Sequence, residues 1–260
     1  MKRKNILIAG PCAVESQTQI KTSIENAKIR SLNFMRMSLW KPRTRPGFEG
    51  LGEKGIKYLI QGALSGINPA TEVLLPSQAE LVMESVLIAN PQTKLLLWIG
   101  ARNQNHHIQR DIAKAVKGES RVFLMVKNQP WPSEDHWEGI VEHVLSSRIS
   151  EKQIILCHRG FIPNGNNPKG FRNPPDFGMA MRIKEKFMLP MIFDPSHTGG
   201  SVENVIKITK EAEKYNFDGL IVEVHHNPKS ALTDAKQQLT WKSFDKLIQS
   251  YSKEVTHYGN

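Results

Sequence analysis

The stretch NILIAGPCAVES, Asn5 to Ser16, is a short apolar run that stops on Gly10-Pro11 and is followed by a polar-capped segment. A run of this length bounded by turn residues reads as a buried strand. The turn after it is Gly-Pro-Cys-Ala, not the GxGxxG that opens a dinucleotide-binding sheet, and this argues against an open Rossmann-like sheet. Seven further runs of the same kind follow: Phe34 to Trp40, Ala70 to Leu75, Lys94 to Ala101, Arg121 to Lys127, Gln153 to Gly160, Met191 to His197 and Gly219 to His226. Their starts lie roughly 20 to 40 residues apart, which leaves room in each unit for a strand, a helix and two connections. Helices are expected at Glu53 to Leu64, Ser77 to Leu87, Ile108 to Lys117, Glu134 to Leu145, Asp176 to Phe187, Val202 to Tyr215 and Ser243 to Tyr251. Eight βα units in 260 residues, with no linker between them, predict an α/β protein that is one (β/α)8 TIM barrel over residues 1–260, without a separate regulatory domain.

Composition narrows the function classes. Hydrophobic residues make up 39% and charged residues 23%, so disordered and low-complexity classes are excluded. No apolar run reaches the roughly 18 residues that span a bilayer, and Pro11 and Glu15 interrupt the N-terminal one, so neither a membrane span nor a secretory signal is expected. Two cysteines, Cys12 and Cys157, cannot form a disulfide framework and fit a reducing cytoplasm. The formal charge of +10 calls for an anionic partner. Its basic residues are dispersed, without the aromatic interleaving of a nucleic-acid surface, which points to small anions and not to nucleic acid.

In a barrel the active site is built at the C-terminal ends of the strands, and here those ends are polar or reactive. The runs lead to Cys12, to Arg36, Lys41 and Arg43, to Glu72, to Arg102, to Lys127, to His158 and Arg159, to Asp194 and His197, and to Glu223 with Asp234 beyond. A thiol, an imidazole and two carboxylates (Cys12, His197, Glu223, Asp234) suit a divalent ion such as Mn, Fe, Co or Zn. The cations Arg36, Lys41, Arg43, Arg102, Lys127 and Arg159 are what phosphate and carboxylate groups require. Two long loops, Lys41 to Gly52 and Phe161 to Pro175, are expected on the same face. The second, rich in Asn, Gly and Pro, is expected to be a mobile flap.

The segments IAGPCAVES, KPRTRPGFEGLGEKG, IGARN, CHRGF, DPSHTGG and GLIVEVHHNPKSALTDAKQQL occur in that order over nearly the whole chain. Together they resemble 3-deoxy-D-arabino-heptulosonate 7-phosphate (DAHP) synthase, in particular the short type Iβ group. The resemblance implies a metal-dependent condensation of phosphoenolpyruvate with erythrose 4-phosphate, the first step of the shikimate pathway. It implies Cys12, His197, Glu223 and Asp234 as metal ligands, and Lys41, Cys12 and His197 at the reacting centre. Arg36, Lys41, Arg102, Lys127 and Arg159 are implied at phosphoenolpyruvate, and Lys41, Pro42, Arg43 and Thr44 at erythrose 4-phosphate. Ala13 stands where Ser is common in that family, and His158 where Glu is common. The related 3-deoxy-D-manno-octulosonate 8-phosphate synthases, which use arabinose 5-phosphate, typically have a KANRS-like segment in place of KPRT.

The resemblance further implies a homo-oligomer, dimer or tetramer, in the cytoplasm. A separate chorismate mutase is a candidate partner, and inhibition by phenylalanine, tyrosine or tryptophan is not expected of the chain alone. Simpler roles are expected for other residues: Cys157, Trp40 and Trp98 in the core, His106, His107, His225 and His226 at the surface or behind the site, Asp194 as the support of His197, and Arg36 with Glu72 as a buried ion pair as readily as a substrate contact.

Overall fold

A computed structural model of the chain describes residues 6–43, 46–165 and 167–253. Its strands are β1 (Ile6–Gly10), β2 (Phe34–Arg36), β3 (Pro69–Glu72), β4 (Leu95–Ile99), β5 (Val122–Lys127), β6 (Ile154–His158), β7 (Met191–Phe193) and β8 (Gly219–Glu223). All pair in parallel with their chain neighbours, and β8 returns to β1 to close the barrel, as expected from the eight runs. The period of two along a strand divides the apolar residues between two layers. In β4, Leu96 and Trp98 point into the barrel with Ile8, Phe34, Met125, Cys157 and Ile221, while Leu95, Leu97 and Ile99 face the helices. Because both faces are covered, the strands read as continuous apolar runs without alternation.

The helices are α1 (Gln17–Ile29), α2 (Ile56–Leu64), α3 (Pro76–Ala89), α4 (His106–Ala115), α5 (Glu134–Ser146), α6 (Phe177–Phe187), α7 (Pro195–Gly199), α8 (Val202–Ala212) and α9 (Trp241–Lys253). Short polar side chains cap their starts: Ser16, Asn105, Ser133, Asp176, Asp194 and Ser201 each accept a backbone N–H of the first turn. Helix α1 is missing from the expected set because only Ile20, Ile24 and Ala27 mark its buried stripe in an otherwise polar segment.

Four expected strands run three or more residues too far. Those placed at Phe34 to Trp40, Ala70 to Leu75, Met191 to His197 and Gly219 to His226 end at Arg36, Glu72, Phe193 and Glu223. Apolarity persists past the last ladder residue because Met37, Leu39 and Val224 stay buried outside the sheet. After Phe193 the chain turns at once into α7, where Pro195 occupies the first helical position and the Asp194 carboxylate accepts the His197 N–H at 3.1 Å. This turn brings His197 over the barrel mouth.

The two long loops lie at the C-terminal ends of the strands. The first closes on itself, with Lys41 N–H donating to Glu49 O at 2.8 Å and Gly52 N–H to Leu39 O at 2.9 Å. The second, expected to be a mobile flap, is anchored at both ends. Phe161 N–H donates to Pro174 O at 2.9 Å, Asn173 N–H to Thr198 O at 3.0 Å, and Phe171 is buried. Its root depends on Gly160, at φ +76°, where a Cβ would run into the Asn173 carbonyl. Among the described residues no helix is long and apolar enough to cross a membrane.

Candidate active site

The strand ends converge on one cavity lined by Cys12, Arg36, Ser38, Lys41, Pro42, Glu72, Trp98, Gly100, Ala101, Arg102, Lys127, Arg159 and His197. It opens outward into a chamber of about 250 Å3 bounded by Lys41, Pro42, Arg43, Arg102, Arg172, His197 and Asp234. Thr44, expected here, lies outside the described residues.

On one wall, ligand atoms of Cys12, Glu223 and Asp234 lie within 4.8 Å of one another. The β1–β8 register sets two of them, since Gly10 pairs with Glu223 and Cys12 follows two residues later. Gly10 itself, at φ +148°, passes so close to β2 that a Cβ would collide with the Arg36 carbonyl. His197 stands beside this cluster, its Nε2 3.6 Å from Glu223 Oε1. Its Nδ1 is held by Asp194 Oδ2 at 2.8 Å, the supporting role expected of that carboxylate. Against the upward push of burial, the His197 ring and the Lys127 ammonium, 2.6 Å away, keep Asp194 well below the usual carboxylate range.

The donor set fits a divalent transition ion: one soft sulfur, one imidazole nitrogen and two carboxylates. A cation is already favoured at this point. Lys41 Nζ donates to Cys12 Sγ and, at 2.6 Å, to Asp234 Oδ2. Burial raises the Cys12 thiol above its ordinary pKa, and the Glu223 carboxylate raises it further. Burial alone would lower Lys41, but the surrounding Cys12, Glu223 and Asp234 raise it.

Beside this cluster the lining is cationic. Arg36 is buried and donates to Pro11 O at 3.0 Å, to Cys12 O at 3.2 Å and to Glu223 Oε1 at 3.0 Å. Its ion-pair partner is thus Glu223 and not Glu72, because β2 and β8 both flank β1 and their ends meet across it. Arg36 Nη1 is buried without a partner. Trp98 forms the floor, with Arg36 Cζ 5.5 Å and Lys127 Nζ 5.8 Å from its ring centre, so it carries cations as well as capping the core. Burial, with Arg102 and Arg172 nearby, lowers Arg159 to about 10, as expected of a cation held among cations. Burial raises the Glu72 carboxyl above its ordinary pKa despite the nearby ammoniums of Lys127 and Lys41.

Three contributors escaped the sequence reading. Arg172 reaches back to Asp234 Oδ1 at 3.0 Å and Gln237 Oε1 at 2.8 Å. Gln237 Nε2 donates to Glu223 Oε2 at 2.7 Å, and Gln238 Oε1 accepts the Cys12 N–H at 3.1 Å. Arg172 is hidden in a loop whose composition signals only irregular structure, and its partner Asp234 lies 62 residues on. The glutamines carry no chemistry that a sequence scan selects. Cys157 is in the barrel interior as expected, and His225 is buried while His226 is exposed. His106 and His107 sit away from the cavity on α4, His106 stacked 4.8 Å from His143 of α5.

Fold and site together define a class: a (β/α)8-barrel enzyme whose mouth holds a mixed sulfur, nitrogen and oxygen donor cluster facing a pocket for anions. The chain belongs to the DAHP synthetase I family, which matches residues 2–258. It is 32% identical to phospho-2-dehydro-3-deoxyheptonate aldolase of Thermotoga maritima over 97% of this chain and 70% of that protein. The crystal structure of a Thermotoga maritima DAHP synthase superposes with a TM-score of 0.83 at 30% identity, covering 97% of this chain and 70% of that one. A 2-dehydro-3-deoxyphosphooctonate aldolase of Francisella philomiragia is also similar, at 24% identity over 96% of this chain and 91% of that protein.

Proposed function

We propose that the protein is a DAHP synthase that condenses phosphoenolpyruvate with erythrose 4-phosphate, giving DAHP and inorganic phosphate. The observation that carries the reading is the convergence at one barrel mouth of the Cys12, Glu223 and Asp234 cluster with the buried cations Arg36, Lys127 and Arg159. Cys12, His197, Glu223 and Asp234 would hold a divalent ion, with His197 offering Nε2 because Asp194 takes Nδ1. Such an ion supplies Lewis-acid polarisation of the aldehyde.

The protein's own groups do the rest. Arg102, Lys127, Arg159 and the free Nη1 of Arg36 bind the phosphate and carboxylate of phosphoenolpyruvate over Trp98. Arg43 and Pro42 take the phosphate end of the aldose in the outer chamber, and Lys41 lies between the two substrates. Holding two mutually repelling anions in contact is the main catalytic task of this cationic wall. C3 of phosphoenolpyruvate bonds to the aldehyde carbon, water adds at C2, and the resulting hemiketal phosphate expels inorganic phosphate. The protein is further proposed to act as a cytoplasmic homo-oligomer.

The test is an assay of purified protein with phosphoenolpyruvate and either erythrose 4-phosphate or arabinose 5-phosphate, with and without chelator. Chelator-sensitive turnover with a clear preference for erythrose 4-phosphate is expected. Comparable kcat/KM for the two aldoses would move the protein to the octulosonate branch.

A further inference from the structure

We propose that Arg172 and Gln237 form a positioning relay that sets both carboxylates of the metal centre from the loop after β6, an inference that rests on the metal-centre reading above. Neither residue touches the reacting groups in that reading. The relay has two arms that start from one atom: Arg172 Nη1 donates to Asp234 Oδ1 at 3.0 Å and to Gln237 Oε1 at 2.8 Å. The second arm continues from Gln237 Nε2 to Glu223 Oε2 at 2.7 Å. The direction of the amide is fixed by its neighbours, since a guanidinium can only donate and a carboxylate only accept. Gln237 is buried at 1% exposure, so both ends of its amide need the partners they have.

Each carboxylate is held on its far side by the relay and on its near side by a cation. Asp234 Oδ2 takes Lys41 Nζ at 2.6 Å, and Glu223 Oε1 takes Arg36 Nη2 at 3.0 Å. Asp234 has φ +47°, a conformation that a non-glycine residue keeps only where its surroundings impose it. Arg172 is 40% exposed, yet its guanidinium turns inward to these two acceptors. It can do so because the neighbouring backbone is tied to α7, with Arg172 N–H donating to Gly199 O at 3.3 Å. The loop after β6 is therefore linked mechanically to the geometry of the donor cluster.

The experiment is a Co2+ titration of apo protein followed by the thiolate-to-metal absorption of Cys12, on wild type, Arg172→Leu, Gln237→Leu and the double variant. Each single change should weaken Co2+ binding about tenfold or more. The double variant should lose less than the two single losses combined, because the arms share Arg172 Nη1. Arg172→Leu alters an exposed loop residue and keeps the test decisive should the buried Gln237→Leu fail to fold. Unchanged Co2+ affinity in Arg172→Leu, with only the KM of the aldose phosphate raised, would make Arg172 a substrate contact and overturn the relay. Strictly additive losses would overturn it as well. Absence of any thiolate absorption in wild type would instead remove the metal-centre reading, and the relay with it.

Discussion

Replacing His158 by Gln should flatten the acid side of the stability profile. The ring is fully buried between α5 and α6, stacked on Trp137 at 5.3 Å, and its Nε2 accepts the Asp176 N–H at 3.1 Å while Nδ1 has no partner. Burial, and then the Arg159 charge, push its pKa down to about 3. An unfolded histidine titrates near 6.5, so between these values the unfolded chain binds the extra proton and stability rises with pH. The contribution is intact above about pH 6.5 and is lost as pH falls below it. At about pH 5 the gap from 6.5 is about 1.5 units, worth about 2 kcal/mol at 1.36 kcal/mol per unit. Urea unfolding of wild type and His158→Gln at about pH 7.5 and about pH 5 measures this directly. The variant can be less stable at both values, since its packing and the bond to Asp176 change. What counts is the difference of differences: wild type should lose about 2 kcal/mol more on acidification. Other buried histidines, such as His225, titrate equally in both proteins and cancel. Parallel losses in the two proteins would refute the argument that the His158 ring is held neutral by its pocket.

Chelation should abolish turnover, and Cys12→Ala or His197→Ala should lower kcat by at least about 100-fold with the far-ultraviolet circular dichroism unchanged, because ligand loss exceeds the effect of outer groups. Arg43→Ala should raise the KM of erythrose 4-phosphate about tenfold while that of phosphoenolpyruvate moves little, as removal of one charged contact at the aldose end requires. Gly160→Ala should lower Tm by about 5 °C or more in a thermal melt, since the residue has φ +76° and no room for a Cβ.

Sequence alone sufficed for the barrel and its strand order, because burial of both strand faces leaves continuous apolar runs whose spacing admits little else. It also determined which residue types stand at the strand ends, and with them the separation into donors and cations. That Cys12, Glu223 and Asp234 come together with His197 beside them was legible because charged and reactive groups next to apolar runs are costly without a function. Tertiary structure alone decided the partners. Arg36 pairs with Glu223, and not with Glu72, because the closure of β8 onto β1 brings the eighth strand beside the first two, a contact between residues 187 apart in the chain. Asp194 leaves the strand because Pro195 and the cap to His197 favour a helical turn over another ladder residue. Arg172 and Gln237 reach the carboxylates only after two loops fold over the same end of the barrel. Local propensity follows neighbours along the chain, whereas hydrogen bonds among loop residues are set by where closure places their roots, so a periodic pattern predicts the strands and is silent about what their loops hold.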